Sequence, residues 1–149
     1  MTNLQPSADL FQPNTWTIYE RGKGLSAATY LRAKGAIQVL ARQVAQFHQR
    51  YDVFLMPTLG MPPMKLGTWR NGESDWIKLE PSFAAYVNTP LYNATGQPAI
   101  NLPLHWNGSG LPIGVHFAGR FGEEETLLKL AAQLEHAAPW SHRYTETAR

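Results

Sequence analysis

Serine residues are the first candidates for chemistry, because a serine hydroxyl attacks a carbonyl once a nearby base removes its proton. No serine in this chain has a base close to it in sequence, and no glycine-flanked Gly-x-Ser-x-Gly turn is present. The serines are Ser7, Ser26, Ser74, Ser82, Ser109 and Ser141. Ser26 is better explained as a helix cap and Ser109 as a turn residue. The residue pattern alone therefore predicts no catalytic residue.

Two clusters could suggest a metal ion. His105 and His116 could face each other across a hairpin, but zinc sites need three or four ligands and no third ligand is placed near them. A partly buried, hydrogen-bonded histidine is the preferred interpretation. Glu123–Glu125 could bind a cation, although negative charge at a helix N-terminus explains them better. The chain has no cysteines, which excludes disulfides and thiolate sites. We expect no metal and no cofactor.

A polar and aromatic cluster is the remaining candidate for a binding site. Such residues can supply a few hydrogen bonds in an otherwise apolar pocket. Alternatively, the Asn and Thr side chains bond to local backbone in turns. The residues alone leave these two interpretations equally open for Asn88, Thr89, Tyr92, Asn93 and Thr95.

Composition limits the possible classes of function. A length of 149 residues with 44% apolar content fits a single domain, residues 1–149, with its own core. The formal charge is +2 and the cations are scattered, so a nucleic-acid partner is not expected. No apolar stretch is long enough to span a bilayer, and no leader pattern is present, so we expect no membrane partner and a cytoplasmic location.

The N-terminal half is expected to contain one long helix and one strand. Residues 1–24 carry four helix breakers, so no long element is predicted there. Ser26 caps a helix to about His48, with Leu25 and Tyr30 placed as a hydrophobic staple. A stripe of Ile37, Leu40, Val44 and Phe47 continues along that helix at helical spacing. The apolar run Val53–Met56 predicts a strand covered on both faces, in the middle of a sheet.

The C-terminal half is expected to contain a hairpin and a helix. Residues 57–81 form an irregular loop, and residues 83–93 form short helical turns interrupted at Pro90. Strands 99–104 and 112–119 pair antiparallel, and Pro103 marks a strand end or an edge. The final helix opens at Glu123, and Pro139 ends it; its predicted buried stripe is Leu127, Leu130, Ala131, Leu134 and Ala138.

Gly114 interrupts the alternating pattern of the second hairpin strand. Glycine weakens a strand, so its presence indicates a close approach by another part of the protein. We expect a side chain at this position to collide, beneath a packed helix.

Several stretches, read in order, resemble a known family. They are LSAA at 25–28, YDVFLMPT at 51–58, PP at 62–63, LG at 66–67, YNATGQPAINLP at 92–103 and GLPIGVHFAGR at 110–120. Their order and spacing resemble the C-terminal part of the amidase-signature family over about residues 11–140. Within it, the pattern is most similar to bacterial amidases of the 6-aminohexanoate cyclic dimer hydrolase type.

The resemblance implies an α/β fold with a mixed sheet flanked by helices. It also implies hydrolysis of a carboxamide C–N bond by two serines and a lysine, without a metal. In the family that unit lies in the N-terminal half. This sequence has no Ser-Ser pair, and its lysines match no catalytic lysine. The resemblance therefore carries over only substrate-binding residues that line a pocket, here Thr58, Leu59, Met61, Thr89, Leu91, Tyr92 and Asn93.

Two hypotheses about function follow. In the first, the chain is the C-terminal portion of an amidase that acts on a small-molecule amide once a missing N-terminal half completes it. In the second, it is a non-catalytic binding or interaction module derived from an amidase. Because strands that belong to a larger sheet would leave open edges, we also expect the isolated chain to form a homodimer or higher oligomer.

Overall fold

A computed structural model describes residues 5–67, 84 and 86–143 of the chain. A 3-10 turn at Ala8–Leu10 precedes helices α1 (Pro13–Lys23) and α2 (Ala27–Phe47). Strand β1 (Phe54–Pro57), the short helix α3 (Pro90–Thr95), strands β2 (Ala99–Trp106) and β3 (Pro112–Ala118), and helix α4 (Glu124–Ala137) follow. The combination of helices with one sheet confirms the α/β class.

Helix α1 corrects the expectation that residues 1–24 hold no long element. Pro13 occupies the first turn, where its missing N–H would be unpaired in any case and its fixed φ suits a helix. Gly22 falls in the last turn, and Gly24 is the C-cap. Three of the four presumed breakers therefore stand at the ends of α1, where they do not interrupt it.

Helix α2 begins and ends as predicted. The Ser26 hydroxyl accepts a hydrogen bond from the Thr29 N–H at 3.1 Å, and His48 is the C-cap. None of its residues is buried, and Ile37 and Leu40, in the predicted stripe, are each 39% exposed. The described residues thus leave an apolar helix face without cover.

The sheet contains three described strands in the order β1-β3-β2, and both pairings are antiparallel. Strand β3 is central, so the expectation that Val53–Met56 lies mid-sheet and covered on both faces is wrong for this part of the chain. The observed strand starts at Phe54, pairs only with β3 among the described strands, and leaves Leu55 60% exposed.

The predicted hairpin is confirmed. The Asn107 side chain accepts hydrogen bonds from the N–H groups of Ser109 and Leu111, each at 2.9 Å, and Gly110 has a φ of 74°. Pro103 lies in an irregularity between Leu102 and His105, on an outer strand of the described sheet. A bulge at an outer strand tolerates the missing N–H, so β2 continues to Trp106.

Pro90 also behaves differently from the prediction. It occupies the first turn of α3 and starts that helix, whereas the sequence suggested that it interrupts one. Gly96, in the left-handed conformation with a φ of 76°, ends α3. Phe83 lies outside the described residues.

The core lies between one face of the sheet and α4. Leu102, Phe117 and Leu127 are buried together, and three further stripe residues of α4 pack partly buried around them: Leu130, Ala131 and Leu134. Ala138 is exposed, because it is the C-cap and lies beyond the helical stripe. Packing against α4 leaves the other face of the sheet available for a site.

Candidate functional site

The face of the sheet opposite α4 carries Gly114, His116 and Ala118 from the central strand. Met56 and Asn101 are the Cα partners of His116 on the two outer strands. Paired residues project to the same side of an antiparallel sheet, so Met56, His116 and Asn101 form a row across this face. His105 is paired with Ile113, so the expectation that it faces His116 is wrong.

Helix α3 covers one end of this face through Tyr92. Its ring centroid lies 5.1 Å from that of His116 and 6.3 Å from that of Phe54, and its side chain is 4% exposed. Burial raises the pKa of the Tyr92 hydroxyl and lowers the pKa of the His116 imidazole, because both environments disfavour the charged form.

His116 only partly matches its sequence interpretation. It is 4% exposed, deeper than expected, and its Nδ1 has no hydrogen-bond partner among residues 5–67, 84 and 86–143. A buried nitrogen without a hydrogen-bond partner lowers the stability of the folded chain.

The first segment expected to line a pocket is joined to the residues that directly precede the second. Leu59 and Val87 form a β-bridge, and the Gly60 N–H donates to the Tyr86 carbonyl at 2.8 Å. The Asn88 side chain donates to the Pro57 carbonyl at 2.9 Å. The segment after β1 and the segment before α3 therefore lie side by side.

The individual candidates differ in accessibility. Tyr92, on α3, is buried, and Met61 and Asn93 are exposed. The remaining candidates are half-buried: Thr58, Leu59, Thr89 and Leu91. Asn88 bonds to the backbone of Pro57, which is 31 residues away, so this contact is not the local turn bond that one interpretation of the polar cluster proposed. Thr95 bonds to the side chain of Gln97 at 3.1 Å.

A cavity of about 310 Å³ lies at the Thr58 end of this face. The Thr58 hydroxyl donates to Oδ1 of Asn101, and the Thr58 N–H donates to the Gly114 carbonyl at 3.0 Å. Thr58 and Leu59 were predicted site residues, whereas sequence reasoning missed Asn101. Its signal was a lone polar side chain in an apolar strand. The lining residues are Thr58, Leu59, Asn101, Pro103, Pro112 and Gly114.

Gly114 forms the floor of this cavity. A Cβ atom there would collide with Asn101 Oδ1 and lie 2.8 Å from Thr58 Oγ1. The predicted collision is confirmed, but the neighbours are side chains of flanking segments and not a packed helix.

A larger cavity of about 510 Å³ lies beside the C-terminal end of α2. Two of its polar lining residues, Arg120 and Gln97, hold elements together. Arg120 donates to the His48 carbonyl at 2.6 Å and to Asp52 at 2.9 Å, and Gln97 donates to the Gly119 carbonyl at 3.0 Å. We therefore assign this cavity a structural role.

The glutamates at 123–125 are placed as the helix interpretation predicts. Glu123 is the N-cap, and Glu124 and Glu125 lie in the first turn of α4. Glu125 also pairs with Lys129 at 2.6 Å. Within the described ranges, no group of three or more His, Asp or Glu side chains could hold a metal ion. No helix in that part of the chain is long and apolar enough to cross a membrane.

Comparison with known proteins gives consistent matches. The amidase family matches residues 4–128. An amidase of Pseudomonas putida is 33% identical over 150 residues, which cover 97% of this chain and 31% of that protein. The structure of 6-aminohexanoate cyclic dimer hydrolase is 26% identical, with a TM-score of 0.79 over 91% of this chain and 29% of that one.

A more distant structure shares the fold. A bacterial aryl acylamidase of the amidase-signature family has a TM-score of 0.61 at 23% identity, covering 85% of this chain and 26% of that protein. This chain spans 31% of the Pseudomonas putida amidase and 22% of a putative amidase of Mycobacterium leprae, to which it is 40% identical over 103 residues.

Proposed function

This chain belongs to the amidase family, and we propose that it forms the substrate-side wall of an enzyme that hydrolyses carboxamide C–N bonds. In this proposal, polypeptide outside this chain supplies the two serines and the lysine. The observation that carries the proposal is the joining of residues 57–60 to residues 86–88, because residues 86–88 directly precede the second segment expected beside the substrate.

The polar groups of this chain favour a supporting role over bond making. A relay lysine must be neutral to accept a proton, whereas Lys23 lies 2.8 Å from Glu20 and Lys129 lies 2.6 Å from Glu125. Ser26 is committed to its helix cap. These contacts argue against a catalytic role for Lys23, Lys129 and Ser26.

The proposed roles of this chain and the completing polypeptide follow from the chemistry of amide hydrolysis. The serine of the completing polypeptide attacks the amide carbonyl, and backbone N–H groups stabilise the oxyanion. This chain contributes by holding the amide in a reactive orientation, and such positioning can supply several powers of ten in rate. Substitutions in the wall should therefore change KM and kcat without removing the nucleophile.

A complementation experiment tests the proposal. The chain is co-expressed with the portion of the Pseudomonas putida amidase that precedes the region matching this chain, and the hydrolysis of a small aryl amide is measured. We expect a complex with steady turnover, and no turnover from the chain alone, because losing the nucleophile unit removes several powers of ten in rate.

Matched controls decide between the two hypotheses. Alanine at the nucleophilic serine of the partner polypeptide should abolish turnover and leave the complex intact. Failure to form any complex, together with tight binding of an amide by the chain alone, would favour a non-catalytic binding module. Turnover by the isolated chain that persists through repurification would contradict the proposal.

A further inference from the structure

The hydrogen bond between Thr58 and Asn101 spans the central strand of the sheet. Thr58 follows β1, Asn101 lies in β2, and β3 runs between them. Their side chains meet above Gly114, where any Cβ would collide with Asn101. The pair thus depends on three chain segments at once, which fixes its position relative to the sheet.

The pair offers hydrogen-bonding capacity that the described chain does not use. Asn101 Oδ1 accepts from the Thr58 hydroxyl, so the Asn101 Nδ2 keeps two N–H donors and Thr58 Oγ1 keeps a lone pair. Rotation of the Asn101 amide by half a turn exchanges the roles of the two atoms. In both arrangements, one donor and one acceptor lie side by side toward the cavity.

The residues that line the cavity favour a neutral ligand. Leu59, Pro103 and Pro112 give apolar contact, and none of the six lining residues carries a charge. A carboxylate would lose its hydration here without gaining a counterion, which is unfavourable. A carboxamide is neutral and presents an acceptor oxygen beside a donor N–H, in the same pattern as the pair.

We propose that Thr58 and Asn101 together recognise the carboxamide group of a small ligand, with Gly114 as the floor of the site. The inference rests on the amidase function proposed above and deepens it, because it names the residues that distinguish an amide from an acid. The ligand oxygen accepts from Asn101, and the ligand N–H donates to Thr58.

Titration of the full chain with benzamide tests this inference directly. The chain is labelled with ¹⁵N, and the side-chain amide signals of Asn101 are followed. We expect benzamide to shift these signals and benzoate to bind at least roughly tenfold more weakly. Asn101→Asp replaces the N–H donors with an acceptor, and should weaken benzamide binding by about tenfold or more. Thr58→Val provides a second variant that removes the other partner.

A matched control separates this site from the larger cavity. Gln49→Glu makes the same chemical change, amide to carboxylate, in a residue that lines the cavity beside α2. It should leave benzamide binding unchanged. The inference is overturned if benzamide shifts no Asn101 signal up to about 50 mM, which corresponds to negligible affinity. It is equally overturned if Gln49→Glu weakens binding and Asn101→Asp does not.

The inference and the proposed function can fail separately. If the complemented enzyme hydrolyses an aryl amide with the same KM in the wild-type and Asn101→Asp chains, the function stands and the recognition role of Asn101 is wrong. If the chain binds benzamide as expected and no complement restores hydrolysis, recognition stands and the amidase function is wrong.

Discussion

At the scale of single residues, Gly114 is a position where the sheet has no room for a side chain. Gly114→Ala places a Cβ against Asn101 and Thr58, and overpacking of this kind costs about 1–3 kcal/mol. Urea unfolding should show this loss. Gly108→Ala is the matched control, since a Cβ there meets nothing within 4 Å, and it should change stability little.

A double substitution identifies the cause of the loss. If the collision with Asn101 is responsible, Asn101→Ala in the Gly114→Ala background should recover part of the lost stability. Equal stability of the Gly114→Ala and wild-type chains would show that Asn101 moves aside without cost.

His116 should make stability depend on pH. Burial lowers its pKa below the usual 6.5, so the folded chain takes up this proton less readily than the unfolded chain. The contribution of neutral His116 to the free energy of unfolding is complete above pH 6.5. It is lost as the pH falls from there toward the lower pKa of the folded state. Urea unfolding at pH 7.5 and pH 5 should show a decrease that is smaller in His116→Gln. An identical decrease in both chains would assign the effect to other groups.

At the scale of elements, Arg120 joins three of them. It follows β3 and Gly119, and its guanidinium reaches the carbonyl of His48 at the end of α2 and the carboxylate of Asp52 before β1. The carboxylate is 78% exposed, so this ion pair contributes little. The hydrogen bond to the C-terminal end of α2 should matter more, because it satisfies an unpaired carbonyl with a cation.

A pair of substitutions tests that ranking. Arg120→Met should destabilise the chain by about 1.5–3 kcal/mol, the usual contribution of a hydrogen bond to a charged group. Asp52→Asn should cost less than about 1 kcal/mol. Hydrogen exchange at residues 47–52 should accelerate in Arg120→Met alone. Equal effects of the two substitutions would instead make the ion pair the dominant contact.

The elements also show where sequence patterns succeed. The Ser26 cap and the Asn107 turn were predictable because each is a local interaction among residues four or fewer apart. The features that the sequence pattern predicted wrongly depend on where a residue stands within a helix or strand. Pro13 and Pro90 read as breakers in the sequence, and they start helices because both occupy a first turn.

The candidate site follows the same rule. Thr58 and Leu59 came from a family resemblance, which encodes position in the fold. Asn101 is paired in space with a residue 43 positions away, and no periodicity reveals such a contact. The outer position of β1 among the described strands was also not predicted, since an apolar run indicates cover on both faces without showing which chain segments provide it.

At the scale of the whole molecule, helices α1 and α2 leave many large apolar side chains exposed. The large exposed apolar side chains of this region include Ile18 in α1, Leu25 between the two helices, and Tyr30, Leu31 and Leu40 in α2. A surface of this kind normally marks an interface.

In the proposed enzyme, the completing polypeptide covers this apolar surface of α1 and α2. Such cover agrees with a chain that spans 22% of the length of one relative and 31% of the length of another.

Without that polypeptide, we predict that the isolated chain self-associates into a homodimer or higher oligomer. Light scattering after size-exclusion chromatography at micromolar concentration should give a mass above 16.7 kDa, and an apolar dye should bind. Leu40→Glu on the uncovered face of α2 should reduce both signals, whereas Gln38→Glu on the same helix adds the same charge at a polar position and should not. Co-expression with the completing amidase portion should replace self-association by a one-to-one complex that no longer binds dye. A monodisperse monomer without dye binding would show that the chain covers its own apolar faces.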